Sequence, residues 1–548
     1  MSIISSINSS KYRRVFWALI WAVALGSGFA VYTIGIGSNP PGFFVDESGF
    51  AYNGYLVSTT GHGEFGPVGT LFFQFYTDIF TQYGAPTLVY MLALVFSIVG
   101  PSILAARLTT AATMFVACIL TGVLASRISG RKLIGVVVGL CALATPWLFE
   151  VGRLVLDTWL YPLAMILFLS AVYRVYKRES WRVVDSLLIM LPLVLLTYSY
   201  TIGRLFGPLM ALGLIIFVKR RQHLIAVLLT WSGYALTFIP LIMYARANPD
   251  LTSRFSRISY IKSTTRYSEA IPKFLSRYFE DLNPWTLLSI GDENARHHLP
   301  NSLGSILLGT FVFAVIGISI IAIRHRTNRF WLFIIYGFLA SIIPGALTWD
   351  HAHTLRMIAY PVFLLILTVP AFQWFFEEST ALKDEEDENA EKTGKIKSEQ
   401  LNDNLQESGG AEPVETQPDR PAAFTRRLRF IVASILLALT FIQAGYFQFK
   451  NYNDRSRQFE FDASYKKLYD LALEQPERPI YLYDDSLGPL YIHAFWYASV
   501  EGRDPSEFNH LYFTDKPPPG SIVLSSGTDC YDCDRIAKED RGILYRTR

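Results

Sequence analysis

The first long apolar segment of the chain runs directly into the stretch Asn39-Pro-Pro-Gly-Phe-Phe-Val-Asp46-Glu47-Ser-Gly-Phe-Ala-Tyr52. The two prolines and the glycine prevent the first helix from continuing, so a new helix is predicted to begin near Asp46. Asp46 has two interpretations, as a helix N-cap or as a base that takes a proton from a hydroxyl group. Neighbouring helical side chains point about 100° apart, so Asp46 and Glu47 are not expected to act on one substrate atom.

The composition places the chain in a membrane. Of 548 residues, 51% are hydrophobic and only 17% are charged, whereas soluble domains carry roughly 25% charged residues. The apolar residues fall in blocks of about 20, the length that crosses a bilayer core. The sequence therefore predicts an α-helical polytopic membrane protein. The net charge of +3 says little by itself, and no nucleic-acid partner is expected.

The basic residues orient the chain, because loops rich in Lys and Arg face the cytoplasm. The apolar run over residues 15–36 is longer than a signal-peptide core and lacks a clear cleavage site, so it is interpreted as a retained first span with a cytoplasmic N-terminus. A short piece, Leu88–Val99, is predicted to be an interfacial helix on the outer side. All basic clusters then fall on one side of the plasma (inner) membrane, with about eleven transmembrane helices. The predicted spans are 15–36, 104–126, 133–149, 155–173, 184–200, 206–218, 223–244, 303–323, 330–347, 355–376 and 428–447.

Four regions follow from this pattern. They are a transmembrane module over 1–376 with a first outer loop at 38–103, a disordered acidic cytoplasmic linker at 377–426, a last transmembrane helix at 427–448, and a small extracytoplasmic α/β domain at 449–548. In the last region, strands are predicted at 479–483 and 521–525, and helices at 461–473 and 490–499. Cys530 and Cys533 are expected to be structural, as a local disulfide or as free thiols, since a zinc site would need two further ligands.

The predicted topology gathers unusual polar residues at the outer ends of the spans. Arginines there can grip a phosphate, because the guanidinium fork matches phosphate oxygens. The alternative is structural, with salt bridges at span ends and an aromatic belt around Arg204. The adjacent His297 and His298 diverge on a helix, and no spaced third ligand accompanies them, so an anion-binding loop is favoured over a metal site. The candidates are Glu150, Arg153, Asp157, Arg204, Asp292, Arg296, His297, His353 and Arg356.

Several short motifs, in order, resemble those of the C-type (GT-C) glycosyltransferases of the protein O-mannosyltransferase and aminoarabinose-transferase kind, in their bacterial branch. The similarity covers most of residues 15–375. One departure is the segment Gln82-Tyr83-Gly84-Ala85, where many relatives have lysine, so the cation for the carrier phosphate has to come from elsewhere, with Arg107 and Arg204 as candidates. The matching motifs are Asp46-Glu47, Tyr83-Gly84-Ala85-Pro86-Thr87-Leu88-Val89-Tyr90, Gly100-Pro101-Ser102, Ala106-Arg107-Leu108, Gly291-Asp292 with Arg296-His297, and His353-Thr354-Leu355-Arg356.

The resemblance implies an inverting transfer of a sugar from a polyprenyl-phosphate carrier to a hydroxyl group of a protein, lipid or glycan on the outer face. In that reaction Asp46 is the general base and Glu47 supports it. The candidate donor-phosphate ligands are Arg107, Arg153, Arg204, Arg296 and Arg356. The resemblance also implies contact with membrane lipid. No cofactor is required by the spacing of the residues, and a divalent cation is left open.

Two other functions compete with this one. A transporter or flippase for a lipid-linked or anionic solute would keep ionisable residues near the bilayer midplane, whereas here the acids lie at span ends and in loops. A non-catalytic assembly partner would use Asp46 only to cap a helix. Loss of folding after replacement of Asp46 would favour that third interpretation.

Overall fold

The fold is that of a helical membrane protein carrying a small C-terminal sheet. The computed structural model describes residues 10–75, 82–251, 257–262, 264–376, 420–484, 489–512, 515–527, 529–530 and 532–548. Its α-helices are α1 (Ser10–Tyr32), α2 (Val45–Thr60), α3 (Pro86–Val99), α4 (Ile103–Ser129), α5 (Lys132–Ala144), α6 (Pro146–Gly152), α7 (Tyr161–Tyr176), α8 (Val183–Ser199), α9 (Gly203–Gly213), α10 (Arg221–Leu236), α11 (Phe238–Ala247), α12 (Tyr267–Asp281), α13 (Leu308–Arg324), α14 (Arg329–Ala340), α15 (Ile343–Ala346), α16 (Tyr360–Leu367), α17 (Val369–Phe376), α18 (Arg420–Asn453), α19 (Tyr465–Leu473) and α20 (Tyr491–Glu501).

The apolar helices are consistent with a chain that crosses the membrane several times. Within the described ranges, five helical segments are long and apolar enough to cross, and the bent pair α5 and α6, with 61° between its halves, would add a sixth. Six shorter apolar helices accompany them. The chain is thus a multi-pass membrane protein, while the number of eleven spans, their sidedness and the interfacial position of α3 stay predictions.

The C-terminal region contains a five-stranded sheet in the order β4-β3-β5-β7-β6. Strands β3, β4 and β5 are parallel, and β6 and β7 add an antiparallel hairpin beside β5. The strands predicted near 479 and 521 and both predicted helices are confirmed, whereas β4, β6 and β7 were missed. Cys530 and Cys533 form a disulfide. The strands are β1 (Phe73–Phe75), β2 (Gln82–Gly84), β3 (Ile480–Tyr483), β4 (Phe508–Leu511), β5 (Ile522–Ser525), β6 (Cys533–Glu539) and β7 (Gly542–Thr547).

The predicted acidic linker lies mainly outside the described residues, since 377–419 are not among them. Helix α18 begins at Arg420, seven residues before the predicted start of the last span, and continues to Asn453. The region that follows α18 does not stand apart from the rest of the protein. It packs against the start of the first outer loop.

Helix α2 is held between the transmembrane module and the C-terminal region. Aromatic stacking joins Tyr52 of α2 to Phe495 of α20, with ring centroids 5.6 Å apart, and joins Phe43 to Trp496 at the same distance. Gly42 has φ +80°, and a side chain there would meet the backbone oxygen of Phe461 at 2.2 Å. Glycine is thus required where the C-terminal region crosses the junction ahead of α2.

A buried carboxyl group at the end of α12 makes stability depend on pH. Asp281 is fully buried and accepts a hydrogen bond of 2.8 Å from the Ala352 N–H. Burial raises its pKa from 3.8 to about 6, against the charge of Arg277 and the backbone hydrogen bond. The folded state therefore binds the proton more tightly than the unfolded state, and the free energy of unfolding falls as the pH rises from about 4 to about 6.

Replacing Asp281 by asparagine is expected to stabilise the protein at pH 8 by up to about 3 kcal/mol, because two pKa units correspond to that free energy. The gain should shrink towards pH 4, where the aspartate is also neutral. Thermal unfolding at both pH values measures the difference, with Asp540→Asn on the exposed surface as the control. A gain independent of pH, or a loss of stability at pH 8, would contradict the assignment.

Candidate functional site

Glu47 and Arg107 form a fully buried ion pair at the start of α2. Arg107 Nε and Nη2 lie 3.0 and 2.9 Å from the two carboxylate oxygens of Glu47. The remaining N–H groups of Arg107 donate to the backbone oxygens of Ile36, Pro40 and Gly42. All the N–H groups of this guanidinium therefore donate hydrogen bonds within the protein. Arg107 thus stabilises the segment between α1 and α2.

Glu47, and not Asp46, satisfies free N–H groups at the start of α2. Its carboxylate accepts hydrogen bonds from the N–H of Phe44, at 3.0 Å, and of Val155, at 3.1 Å. The N-cap position is occupied by Phe44, so the interpretation of Asp46 as the N-cap is wrong. Asp46 lies two positions further on, in the first turn of the helix.

Asp46 is half-buried and lines a small cavity at the start of α2. The cavity brings Asp46 together with Arg296 and His297, two residues that the sequence predicted for the same site. Its remaining walls are apolar apart from the edge of Glu47. They consist of Phe44, Leu154, Leu156, Leu355 and Phe461. A carboxylate, a guanidinium and an imidazole thus line one cavity whose other walls are mostly apolar.

Arg296 is fixed in this cavity from several directions. Its guanidinium carbon lies 4.6 Å from the centre of the Phe44 ring, and its Nε lies 3.1 Å from Asn294 Oδ1. One-third of its side chain is exposed, and Glu460 lies 3.8 Å away. Arg457, which follows α18, donates a hydrogen bond of 2.6 Å to the backbone oxygen of Arg296. The C-terminal region therefore positions the cation that faces Asp46.

Glu150 ties three parts of the chain together behind the cavity. Its carboxylate accepts hydrogen bonds of 2.7 Å from the N–H of Leu299 and from Nδ1 of His298. Arg457 Nη1 lies 3.4 Å from the same carboxylate. Burial would lower the pKa of His298, but the charge and the hydrogen bond of Glu150 raise it above its ordinary value. Glu150 is only 3% exposed, and its contacts are those of a structural residue.

His297 belongs to a buried cluster with Asp292 and His353. One oxygen or nitrogen atom from each of the three side chains lies within 4.8 Å of the others. His297 Nδ1 is 3.1 Å from Asp292 Oδ2, and the two imidazole rings are 4.8 Å apart. The fold therefore supplies in His353 the third ligand that the sequence spacing did not show.

Protonation in this cluster follows from its charges. Burial would raise the pKa of Asp292, but the hydrogen bond and charge of His297 hold it well below its usual range. Burial, and then the charges of His297 and Arg356, lower the pKa of His353. An ionised carboxylate beside a neutral imidazole is the form that metal ions bind.

The cluster fits a divalent cation by residue type. Nδ1 of His353 is buried and has no hydrogen-bond partner among the described residues, as expected of an atom that a ligand would satisfy. Asp292 Oδ2, however, also accepts hydrogen bonds of 2.8 and 2.7 Å from the N–H and the hydroxyl group of Thr354. Hydrogen bonds from His297 and Thr354 are therefore enough to stabilise the buried Asp292 carboxylate without a metal ion.

The other predicted cations make contacts of their own. Arg153 is buried and donates to the backbone oxygens of Tyr32, Ile34 and Asn39, at the end of α1. Arg356 donates to Thr348 and pairs with Asp350. Among the described contacts, these two guanidinium groups bind loops rather than face the cavity.

Arg204 and Asp157 also lie away from the cavity lining. The guanidinium of Arg204 stacks on Phe72 of the first outer loop, 4.9 Å from the ring centre. Asp157 is buried at the start of a short 3-10 helix that runs from Asp157 to Leu160. Of the predicted phosphate ligands, Arg296 is the one that lines the cavity with Asp46.

Sequence reasoning missed the contribution of the C-terminal region to the site. Ser48 Oγ lies 2.7 Å from His493 Nδ1, and His493 Nε2 lies 3.1 Å from Asp462 Oδ2. This serine, histidine and aspartate are almost fully buried, so they anchor α2 and are not open to a substrate. The only sequence signal was the charged run after the last apolar helix, which includes Arg457.

Comparisons with known proteins give a fold but no close relative. No family model matches the chain, and no curated protein matches it. Among solved structures, ArnT from Cupriavidus metallidurans in the apo state has a TM-score of 0.54 at 12% identity, covering 96% of this chain and 98% of that one. The same protein bound to undecaprenyl phosphate has a TM-score of 0.54 at 11% identity, covering 96% and 97%.

A third similar structure is the oligosaccharyltransferase AglB from Archaeoglobus fulgidus, in complex with an inhibitory peptide and a dolichol-phosphate. It has a TM-score of 0.50 at 12% identity, covering 88% of this chain and 64% of that one. Both similar proteins carry the membrane fold that the sequence motifs predicted. The GT-C-like architecture is thereby confirmed as a fold, across nearly the whole length of ArnT.

Proposed function

We propose that this protein is a membrane glycosyltransferase that moves a sugar from a polyprenyl-phosphate carrier to a hydroxyl group, with Asp46 as general base. The observation that carries the proposal is the shared cavity of Asp46, Arg296 and His297. Support comes from the fold, since one similar structure was determined with undecaprenyl phosphate and another with a dolichol-phosphate.

The proposed reaction uses the two charges of the cavity in one step. Asp46 accepts the proton of the acceptor hydroxyl group while that oxygen forms a bond to the anomeric carbon of the sugar. The bond from this carbon to the phosphate oxygen breaks, and the carrier leaves as a lipid phosphate with inverted stereochemistry at the sugar. Arg296 stabilises the charge that grows on the departing phosphate.

The other predicted residues hold Asp46, Arg296 and the cavity wall in place. Glu47 and Arg107 hold the start of α2, so that Asp46 faces the cavity. Glu150 and Arg457 hold the loop that carries Arg296. The cluster of Asp292, His297 and His353 supports the wall of the cavity, and a divalent cation bound there would add positive charge near the carrier phosphate.

A transporter remains the competing function. Transporters place ionisable groups near the bilayer midplane. Among the described helices, the buried carboxylates lie near helix ends, as at Glu47, Asp185 and Asp281, which favours chemistry at a surface over passage through the bundle.

The deciding experiment incubates the purified protein with defined polyprenyl-phosphate sugars and a hydroxyl acceptor. Release of free lipid phosphate together with a glycosylated product is the expected result. The same donors are also supplied to sealed vesicles that contain the protein. Passage of the donor across the membrane without any product would instead support the transporter.

Replacing Arg296 by alanine is expected to slow release of lipid phosphate by about 10²-fold, the usual cost of removing one donor to a developing negative charge. Arg296→Lys should recover part of the rate, because lysine keeps the positive charge but lacks the planar guanidinium that can bind two phosphate oxygens at once. The control is Arg455→Ala, which removes an exposed cation outside the cavity lining and should turn over like wild type. Equal rates for wild type and Arg296→Ala would exclude Arg296 as a phosphate ligand.

A further inference from the structure

A second charged cavity lies at the other end of the helices. It is lined by residues from the connection between α7 and α8 and by the connection between α9 and α10. Helix α7 begins five residues after Leu156, which lines the Asp46 cavity, and ends at Tyr176, which lines the second cavity. Sixteen helical residues span about 24 Å, close to the thickness of a bilayer core, so we expect the two cavities to lie near opposite membrane surfaces.

The second cavity joins two basic segments that are 40 residues apart in the sequence. Lys177 and Arg178 come from the first connection, and Lys219 and Arg220 come from the second. Arg178 donates hydrogen bonds of 2.7 Å to both carboxylate oxygens of Asp185, which neutralises its charge. Among the described residues, no salt bridge engages the other three cations, and Glu179 adds one carboxylate to the lining, so the cavity still carries excess positive charge.

The cavity is built by specific contacts. His223 is buried at its base, where Nε2 donates to the backbone oxygen of Glu179 at 2.8 Å and Nδ1 accepts from the Lys219 N–H at 3.3 Å. Arg329 of α14 donates to the backbone oxygen of Val218 at 2.6 Å. Three parts of the chain thus fix the two basic connections against each other.

The walls of the cavity are aromatic. Trp181 lies between Phe217 and His223, with ring centroids 6.4 and 6.1 Å away, and Tyr176 completes the wall. Helix α10 starts at Arg221 without a side-chain cap, which adds the positive end of a helix dipole. Aromatic rings and cations together are typical of the level at which lipid head groups lie.

Exposed leucines occupy the first halves of α8 and α10, the two helices that follow the basic connections. They are between 40% and 58% exposed, so acyl chains can lie against them. They are Leu187, Leu188, Leu191, Leu224 and Leu228.

We propose that this cavity binds the phosphate head group of an anionic membrane phospholipid, with Lys177, Lys219 and Arg220 as its cations. The assignment commits to a lipid because the cations lie among aromatic residues and the helices that follow both basic connections carry exposed leucines. It does not depend on the reaction proposed at Asp46.

The test compares binding of phosphatidylglycerol and phosphatidylcholine to the full-length protein by native mass spectrometry after delipidation. Wild type is expected to retain phosphatidylglycerol selectively. The double variant Lys219→Ala/Arg220→Ala should bind it about thirtyfold more weakly, as expected for two lost charges at a membrane surface. The matched control is Arg324→Ala/Arg326→Ala, which removes two exposed cations at the end of α13 and just after it, outside the cavity.

Three outcomes would overturn the proposal. They are equal weakening in both double variants, equal binding of phosphatidylcholine, and displacement of the lipid by millimolar inorganic phosphate, which would identify a site for soluble phosphate. If the first double variant does not fold, Lys177→Gln, a single change at an exposed side chain, replaces it, with a weaker but still selective loss expected.

Discussion

Replacing Asp46 by asparagine is expected to lower the rate of sugar transfer by about 10²- to 10⁴-fold, the contribution of a positioned general base. Asparagine has nearly the same shape but cannot accept the proton of the attacking hydroxyl group. The protein should remain folded, because Glu47, and not Asp46, satisfies the N–H groups of Phe44 and Val155. Release of free lipid phosphate gives the rate, and thermal unfolding gives the stability.

The control for this variant is Asp454→Asn, which changes a carboxylate just after α18 and outside the cavity lining. It should behave as wild type. Turnover by Asp46→Asn at the wild-type rate would remove the base assignment. Loss of folding in Asp46→Asn would instead favour a structural role for this residue.

Replacing Arg107 by alanine is expected to reduce the free energy of unfolding by about 3–5 kcal/mol, because it leaves the Glu47 carboxylate buried without its partner. Both side chains are fully buried, so solvent cannot take the place of the guanidinium. The backbone oxygens of Pro40 and Gly42 lose their donors in the same change. Unfolding in a denaturant series measures the effect.

The double variant Glu47→Gln/Arg107→Met separates the two causes of instability. It removes both charges and keeps an acceptor for one of the two N–H groups, those of Phe44 and Val155, that donate to the separate oxygens of Glu47. It should therefore be more stable than Arg107→Ala alone, which leaves a buried charge unpaired. An Arg107→Ala protein as stable as wild type would show that the pair is not buried as described. If Arg107→Ala were as stable as wild type but had lost sugar transfer, the result would support Arg107 as a phosphate ligand.

Most of the helical architecture could be predicted from the sequence. Apolar blocks of about 20 residues identify helices by length alone, and the segments 104–126 and 428–447 lie inside α4 and α18. The break at Pro40, Pro41 and Gly42 is equally local, since proline ends a helix wherever it stands. The divergence of Asp46 and Glu47 also follows from helical geometry.

The roles of the individual charges could not be predicted, because they depend on which distant segments meet. Arg107, Arg153 and Arg356 have the composition of phosphate ligands, but in the structure their guanidinium groups bind a carboxylate or backbone oxygens of neighbouring loops. His353 joins His297 only because two loops that are distant in the sequence pack together. No periodicity in a single segment carries that information.

The sequence by itself determined a helical membrane protein with an acidic pair just after the break that ends its first apolar helix, because chain length, hydropathy and proline act locally. Only the tertiary structure decided that Glu47 is buried in an ion pair while Asp46 faces a cavity with Arg296. It also decided that Phe461, more than 400 residues further along the chain, completes that cavity. Such pairings are set by long-range packing, in which each buried charge must find a partner from another part of the chain.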